Sequence, residues 1–233
     1  MRRTILSLFV LLTCVPLAAQ QTVNSGPIDK FNTISLTGNI IAKIIPSDVN
    51  SVDVFITDAD IKNLKWGVTN GALSITFRQP SSKLGRAEMI IQYTDTLKSV
   101  SISNGELSFD NPLTGDLLTI SVKGGGVLNG YVDVLDLMVD VTGNSAALLS
   151  GTARYVTLRT TEKSKVDMRE VDALSIVADA ATGSEAFVKT NERLVANAKT
   201  GATIFYQGSP LIVRDRSSKL DTSVGASVIN VGK

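Results

Sequence analysis

The side chains able to do chemistry in this 233-residue chain are, with few exceptions, carboxylates. Asp58, Asp60, Asp110, Asp116, Asp133, Asp136, Asp179 and Glu185 are the candidates for general acid–base work or for holding calcium, the equipment of enzymes that cleave polysaccharides. That chemistry needs the acids gathered in one place with a basic residue beside them. Here they do not share one strand column in successive repeats, and most stand at or beside corners, where Asp is favoured for its turn geometry. They read as turn formers, with a carbohydrate-active enzyme as the alternative. The chain has no histidine, which removes the commonest general base and the commonest metal ligand, and with them the hexapeptide-repeat acyltransferases. Its single cysteine, Cys14, lies in an apolar N-terminal stretch, so no thiolate metal site, cysteine nucleophile or internal disulfide is available to the rest. No catalytic, cofactor-binding or metal-binding residue is assigned, and no cofactor is expected.

Two further features could bind a ligand. Gly124-Gly125-Gly126 has the look of a phosphate cradle, but no Lys-Ser/Thr pair follows and no helical pattern begins there, so a tight corner is the better reading. Phe109, Tyr131, Phe187, Phe205 and Tyr206 fall in similar parts of their repeats. They form either a strip on which glycans stack or inward aromatic ladders, and the burial tendency of such rings favours the ladders. Trp66 sits apart from them, in an irregular region where it anchors a cap.

The elements that must position these residues are strands. Segments opening with Leu97, Leu117, Leu137, Val156, Leu174 and Leu194 are spaced by 20, 20, 19, 18 and 20 residues. Within them apolar pairs recur in alternation: Val100/Ile102, Ile120/Val122, Val139/Val141, Leu158/Thr160, Ile176/Ala178 and Ala196/Ala198. That is the strand period. Corners follow at Asn104-Gly105, Gly124-Gly125-Gly126, Gly143-Asn144, Lys163-Ser164, Thr182-Gly183 and Thr200-Gly201, and beyond them runs a second apolar column of Leu107, Val127, Ala147, Val166, Ala186 and Ile204. One such coil has a single apolar side and cannot bury it alone. Stacking coils about 4.8 Å apart pairs their backbones in parallel and hides aliphatic side chains worth roughly 1.5–3 kcal/mol each. The fold expected is all-β, a right-handed parallel β-helix (solenoid) of about 20-residue coils, the hand following from strand twist.

Before Leu97 the alternation is looser, at Ile34/Leu36, Ile40–Ile45, Val52/Val54/Ile56, Leu73/Ile75/Phe77 and Met89/Ile91/Tyr93, with a short helical turn expected near Asp58–Leu64. Residues 21–96 thus read as irregular opening turns that cap one solenoid domain spanning 21–233, with the regular coils in 97–233; a separate N-terminal β domain stays open. Near the other end the charged run 214–219 interrupts the pattern, which resumes at 226–232 as the last coil and is kept by those charges from pairing with another molecule.

Met1-Arg2-Arg3, the apolar run Ile5–Leu17 and the small-residue exit Leu17-Ala18-Ala19-Gln20 have the layout of a secretory signal peptide, residues 1–20. The rival is lipoprotein processing at Cys14, but Thr13 is bulkier than the residue usual before such a cysteine, and Val15-Pro16-Leu17 continues the apolar run. No second long apolar stretch follows, so no transmembrane segment is expected in the mature chain. With a formal charge of +1 and mixed signs, there is no electrostatic footprint for nucleic acid or an anionic membrane.

Phe31-Asn32-Thr33-Ile34-Ser35-Leu36-Thr37-Gly38, Val52-Asp53-Val54 with Asp58, Gly71-Ala72-Leu73-Ser74-Ile75, the glycine-punctuated repeats and the closing Ala226-Ser227-Val228 to Gly232 occur in one order. This ordered set resembles the exported bacterial proteins described as putative auto-transporter adhesins with a head GIN domain. The resemblance implies a right-handed β-helix outside the cytoplasm with a role in cell adhesion, and carries no catalytic residue over to this chain. After Lys163 the strong Gly-Ser or Gly-Asn corners thin out, a departure from the pattern. The function expected is a non-enzymatic binding or adhesion protein in the periplasm, outer membrane or cell surface. Its flat solenoid faces would meet a protein, a glycan or a surface polymer; a structural envelope component is a third reading.

Overall fold

A computed structural model describes residues 21–78, 85–215 and 225–232, with side chains undescribed at 212–215. The leader layout of residues 1–20, Cys14 and the charged positions 216–219 therefore lie outside the described residues. The strands are β1 (Gln21–Asn24), β2 (Thr33–Gly38), β3 (Ile40–Pro46), β4 (Ser51–Thr57), β5 (Leu64–Thr69), β6 (Ala72–Phe77), β7 (Arg86–Tyr93), β8 (Ser99–Ser103), β9 (Glu106–Lys123), β10 (Val127–Val141), β11 (Ala146–Thr160), β12 (Lys165–Ala180), β13 (Glu185–Ala198), β14 (Thr203–Gln207), β15 (Ile212–Asp215) and β16 (Ser227–Asn230). The helical turn expected after Asp58 is present as a single 3-10 turn, Ile61–Asn63, capped by the Asp60 carboxylate, which accepts from the Lys62 amide.

Strands β9 to β13 are each one coil folded around two limbs, and every coil pairs in parallel with the next along both. Strands β14 and β15 continue the two limbs on β13, and β16 closes the stack on β14. The chain is thus a parallel β-solenoid of about six turns, with coils about 20 residues apart. Residues 214 and 215, expected to interrupt the pattern, instead belong to paired strand β15.

Two inward columns meet inside one core. On the first limb Leu107, Leu128, Ala147, Val166, Ala186 and Ile204 stand in register, all buried. On the second, Val100, Ile120, Val139, Leu158, Ala178 and Ala196 do the same. Three positions differ from the expectation. Leu117 points outward, 48% exposed, and Leu118 takes the inward place, because only 118 keeps step with Ile120 and Val122. Val127 yields to Leu128, since the three-glycine corner is one residue longer than Asn104-Gly105 and the side-chain parity slips by one. Leu174 is only half-buried, and Ile176 fills its column with Ala178/Ala180 as the pair, because a register shift inside β12 adds a residue to that coil.

The corners are left-handed backbone, and that is what the glycines and asparagines are for. Gly124, Gly143, Asn144, Thr182, Gly183, Thr200 and Gly201 all have positive φ. In the coil where the glycine signal fades, Glu162 and Lys163 adopt φ of 57° and 59°, so the turn shape persists with residues that fit it less well. Below the corners, Ser145, Ser164 and Ser184 are buried and bond the turn backbone.

The opening portion joins the same core, in an order that chain sequence does not follow. Strands β2 and β3 lie between the coil that starts the regular array and the coil made by β6 and β7: β2 pairs in parallel with β6 and β8, and β3 with β7 and β9. The chain lays one coil, leaves it, lays a second on its outer side, then crosses to the inner side. The outer end is closed by antiparallel pairs, β4 on β7, β1 on β4 and β5 on β6, rather than by parallel coils. An antiparallel return covers an edge with the adjacent stretch of the same chain.

Candidate functional site

The carboxylates that could do acid–base work are dispersed. Asp58 occupies a left-handed turn position, and Asp60 caps the 3-10 turn. Asp110 accepts from Lys43 Nζ at 2.6 Å, Asp179 from the Asn197 amide at 2.8 Å and Asp133 from Thr152 Oγ1, while Glu185 lies 3.5 Å from Lys165. Asp136 stands in register between Leu117 and Tyr155. In none of these strand pairs does one acid stand directly opposite another in register. Nor is there a group of three or more acids able to hold a metal ion among the described residues.

The glycine corner is likewise committed. Gly124 donates its amide to Thr142 O, Gly125 to Gly143 O, and Gly126 to Lys123 O, which leaves no amide for a phosphate.

The five aromatics separate into three kinds. Phe109 is in the core, as the ladder reading expects, and Tyr206 packs partly buried against it. Phe187 and Phe205, in contrast, lie on the outer face of the first limb. Their rings stack at 4.6 Å with 13° between planes. The far side of Phe187 carries Lys165 Nζ at 4.9 Å and the Arg169 guanidinium at 5.2 Å, while Phe205 has Ile229 in register on its other side. With the Phe187 faces covered by a ring and two cations, a sugar cannot stack there. Arg169 also bonds Asp167 and, by that hydrogen bond first and its charge besides, holds the Asp167 carboxyl below its usual range, partly offset by burial. Trp66, 38% exposed, lies on edge strand β5 opposite Ile75, at the capped end.

Tyr131 is of the third kind. It is outward and 40% exposed, and it borders a hollow of about 400 Å³ lined also by Phe109, Asp110, Asn129, Gly130, Leu148 and Ser150. Gly130 is part of its lining. Gly130 occupies an inward position in register with Phe109 and Leu149, and the Phe109 ring fills the space its missing side chain leaves. Gly151, below Tyr131, has φ of +113°, and the Tyr131 ring lies over it where a Cβ would stand 3.0 Å from Cδ2. A glycine within a strand marks such a close approach, and Gly130 and Gly151 are visible as such in the sequence; the pairing of each with a ring is not.

Elsewhere the middle coils carry exposed apolar side chains: Leu117, Leu135, Met138, Leu148 and Tyr155, all within two turns of one another. No helix among the described residues is long and apolar enough to cross a membrane.

Comparison with known proteins agrees with this architecture. The fold matches the crystal structure of a putative adhesin from Bacteroides fragilis NCTC 9343 with a TM-score of 0.77 at 20% identity, covering 93% of this chain and 96% of that one. A putative adhesin from Parabacteroides merdae ATCC 43184 matches with 0.72 at 15% identity (92% and 94% covered), and a putative lipid binding protein from Parabacteroides distasonis ATCC 8503 with 0.67 at 15% (92% and 95%). No curated protein matches the sequence. The family model described as "Putative auto-transporter adhesin, head GIN domain" matches residues 30–210, from just before β2 to just past β14, and the chain belongs to that family.

Proposed function

We propose that this chain is an exported, non-enzymatic binding protein that adheres through the outward faces of its solenoid to a protein, a glycan or a surface polymer. One observation carries the reading: Leu117, Tyr131, Leu135, Met138, Leu148 and Tyr155 stand 40–51% exposed on three consecutive coils of a rigid, doubly paired frame. Stability does not ask for large apolar side chains in water, whereas a contact surface does. The frame holds them in a fixed array at no further ordering cost, which favours contact over a broad area. The family's description as adhesins and the leader layout of residues 1–20 support a place outside the cytoplasm.

The test is a binding screen of the mature chain against immobilised matrix proteins and glycans, with protease shaving of intact cells. Retention on at least one surface, together with loss of the chain on shaving, is the result expected. Release of reducing ends from a polysaccharide by the purified chain, or retention on none of the surfaces, would overturn it.

A further inference from the structure

We propose that the hollow beside Tyr131 binds one end or one unit of a neutral glycan; this deepens the adhesion reading and rests on it. Three observations converge there. The hollow lies in the size range of small-molecule pockets and is bordered by an exposed aromatic ring and by Leu148, 51% exposed. A pyranose presents one face of C–H groups, which such a ring accepts, and a rim of hydroxyls, which planar polar side chains bind. Second, polar groups are present and uncommitted: neither the Asn129 amide, the Tyr131 hydroxyl nor the Ser150 hydroxyl has a hydrogen-bond partner among the described residues, and all three residues line the hollow. An amide with donors and acceptor beside two hydroxyls matches the mixed donor–acceptor rim of a sugar. Third, Asp110 stands on the same rim, held by Lys43 at 2.6 Å, so that a fixed acceptor lies beside a fixed donor.

The same geometry sets the class. The full charges at this rim, Asp110 and Lys43, neutralise one another, so no uncompensated cation is offered to a uronate, and the ring requires a C–H face; an uncharged pyranose is taken in preference. Among the chain's aromatics the choice falls on Tyr131 because the Phe187 faces are already covered by Phe205 and by two cations.

The experiment titrates the mature chain with neutral hexose and N-acetylhexosamine tetrasaccharides and with a hexuronate tetrasaccharide, following the Tyr131 ring resonances and binding heat. At least one neutral probe binds and shifts those resonances. Tyr131→Ala weakens it about tenfold while Tyr131→Phe stays within about threefold, since stacking is the larger part. Asn129→Ala and Leu148→Ala weaken it also, and keep the test alive if removal of a ring that covers Gly151 unfolds the chain; Phe187→Ala leaves it unchanged. Binding that survives Asn129→Ala and Leu148→Ala, preference for the hexuronate, or no response to any neutral probe overturns the site. If the chain still adheres in the surface screen, and adheres equally with Tyr131→Ala, the glycan site fails while adhesion stands; if it adheres to nothing, adhesion itself fails.

Discussion

Gly130 and Phe109 form a pair whose energetic coupling can be measured. Phe109, Gly130 and Leu149 are in register on three successive coils, and the ring leans over the glycine. A methyl added at Gly130 overlaps ring carbons Cζ and Cε2 and stands 2.7 Å from Cε1, where carbon atoms in contact keep about 3.5–4.0 Å. Gly130 is not among the positive-φ residues, so Gly130→Ala meets no backbone objection and the whole penalty is overpacking, about 1–3 kcal/mol. Phe109→Ala removes a fully buried ring and costs about 3–5 kcal/mol. In the double variant the methyl enters the space the ring has left. Its cost falls below the sum of the single costs by about 1 kcal/mol or more. Urea unfolding followed by circular dichroism on all four proteins gives the cycle, and thermal midpoints should move by about 2–4 °C per kcal/mol for a chain of this size. Strict additivity, or a Gly130→Ala variant as stable as the parent, would refute the ring-over-glycine account.

Other consequences can be checked by the same unfolding assays. Thr160 is fully buried with no partner for its hydroxyl, between Val141 and Ala180 in its column, so Thr160→Val raises stability by about 1 kcal/mol; a loss instead would show the hydroxyl to be satisfied. Lys163→Gly relieves a left-handed turn residue and gains roughly 0.5–1 kcal/mol, whereas Gly183→Ala, whose new methyl would meet only Lys163 Cγ at an ordinary 3.8 Å but whose φ is +68°, loses about 1 kcal/mol; two changes of the same sign would mean that backbone strain does not govern the corners. The Asp167 carboxyl has its folded pKa lowered by Arg169, so its contribution to stability is present above the ordinary carboxylate pKa of about 3.9 and disappears as pH falls through the lower folded value. Asp167→Asn should therefore flatten that part of the acid limb and leave stability at alkaline pH independent of pH from this site; an unchanged acid limb would remove Arg169 as the cause.

The repeat was legible because burial forces it. A coil of about 20 residues with one apolar side must be stacked, and the alternation that buries Val139/Val141 or Ala196/Ala198 is written directly in the residue order. The corners were legible for a related reason, since only a few residue types tolerate a left-handed backbone. Where the reading slipped, at Leu117, Val127 and Leu174, one residue of length in a corner or a bulge had changed the parity, and two adjacent apolar residues such as Leu117-Leu118 offer both answers until a neighbouring coil chooses.

The sequence by itself determined the architecture, the all-β composition and the absence of histidine and thiol chemistry from the body of the chain, because periodicity and residue type are local properties. Only the tertiary structure decided which coil lies beside which: that β2 and β3 sit inside β6 and β7, that antiparallel strands close that end, and that Phe187 and Phe205 cover one another while Tyr131 stands free over Gly151. Those are facts about residues 18 or more positions apart, and stacking order and cross-coil register are set by how whole coils fit together, which no single stretch of chain encodes.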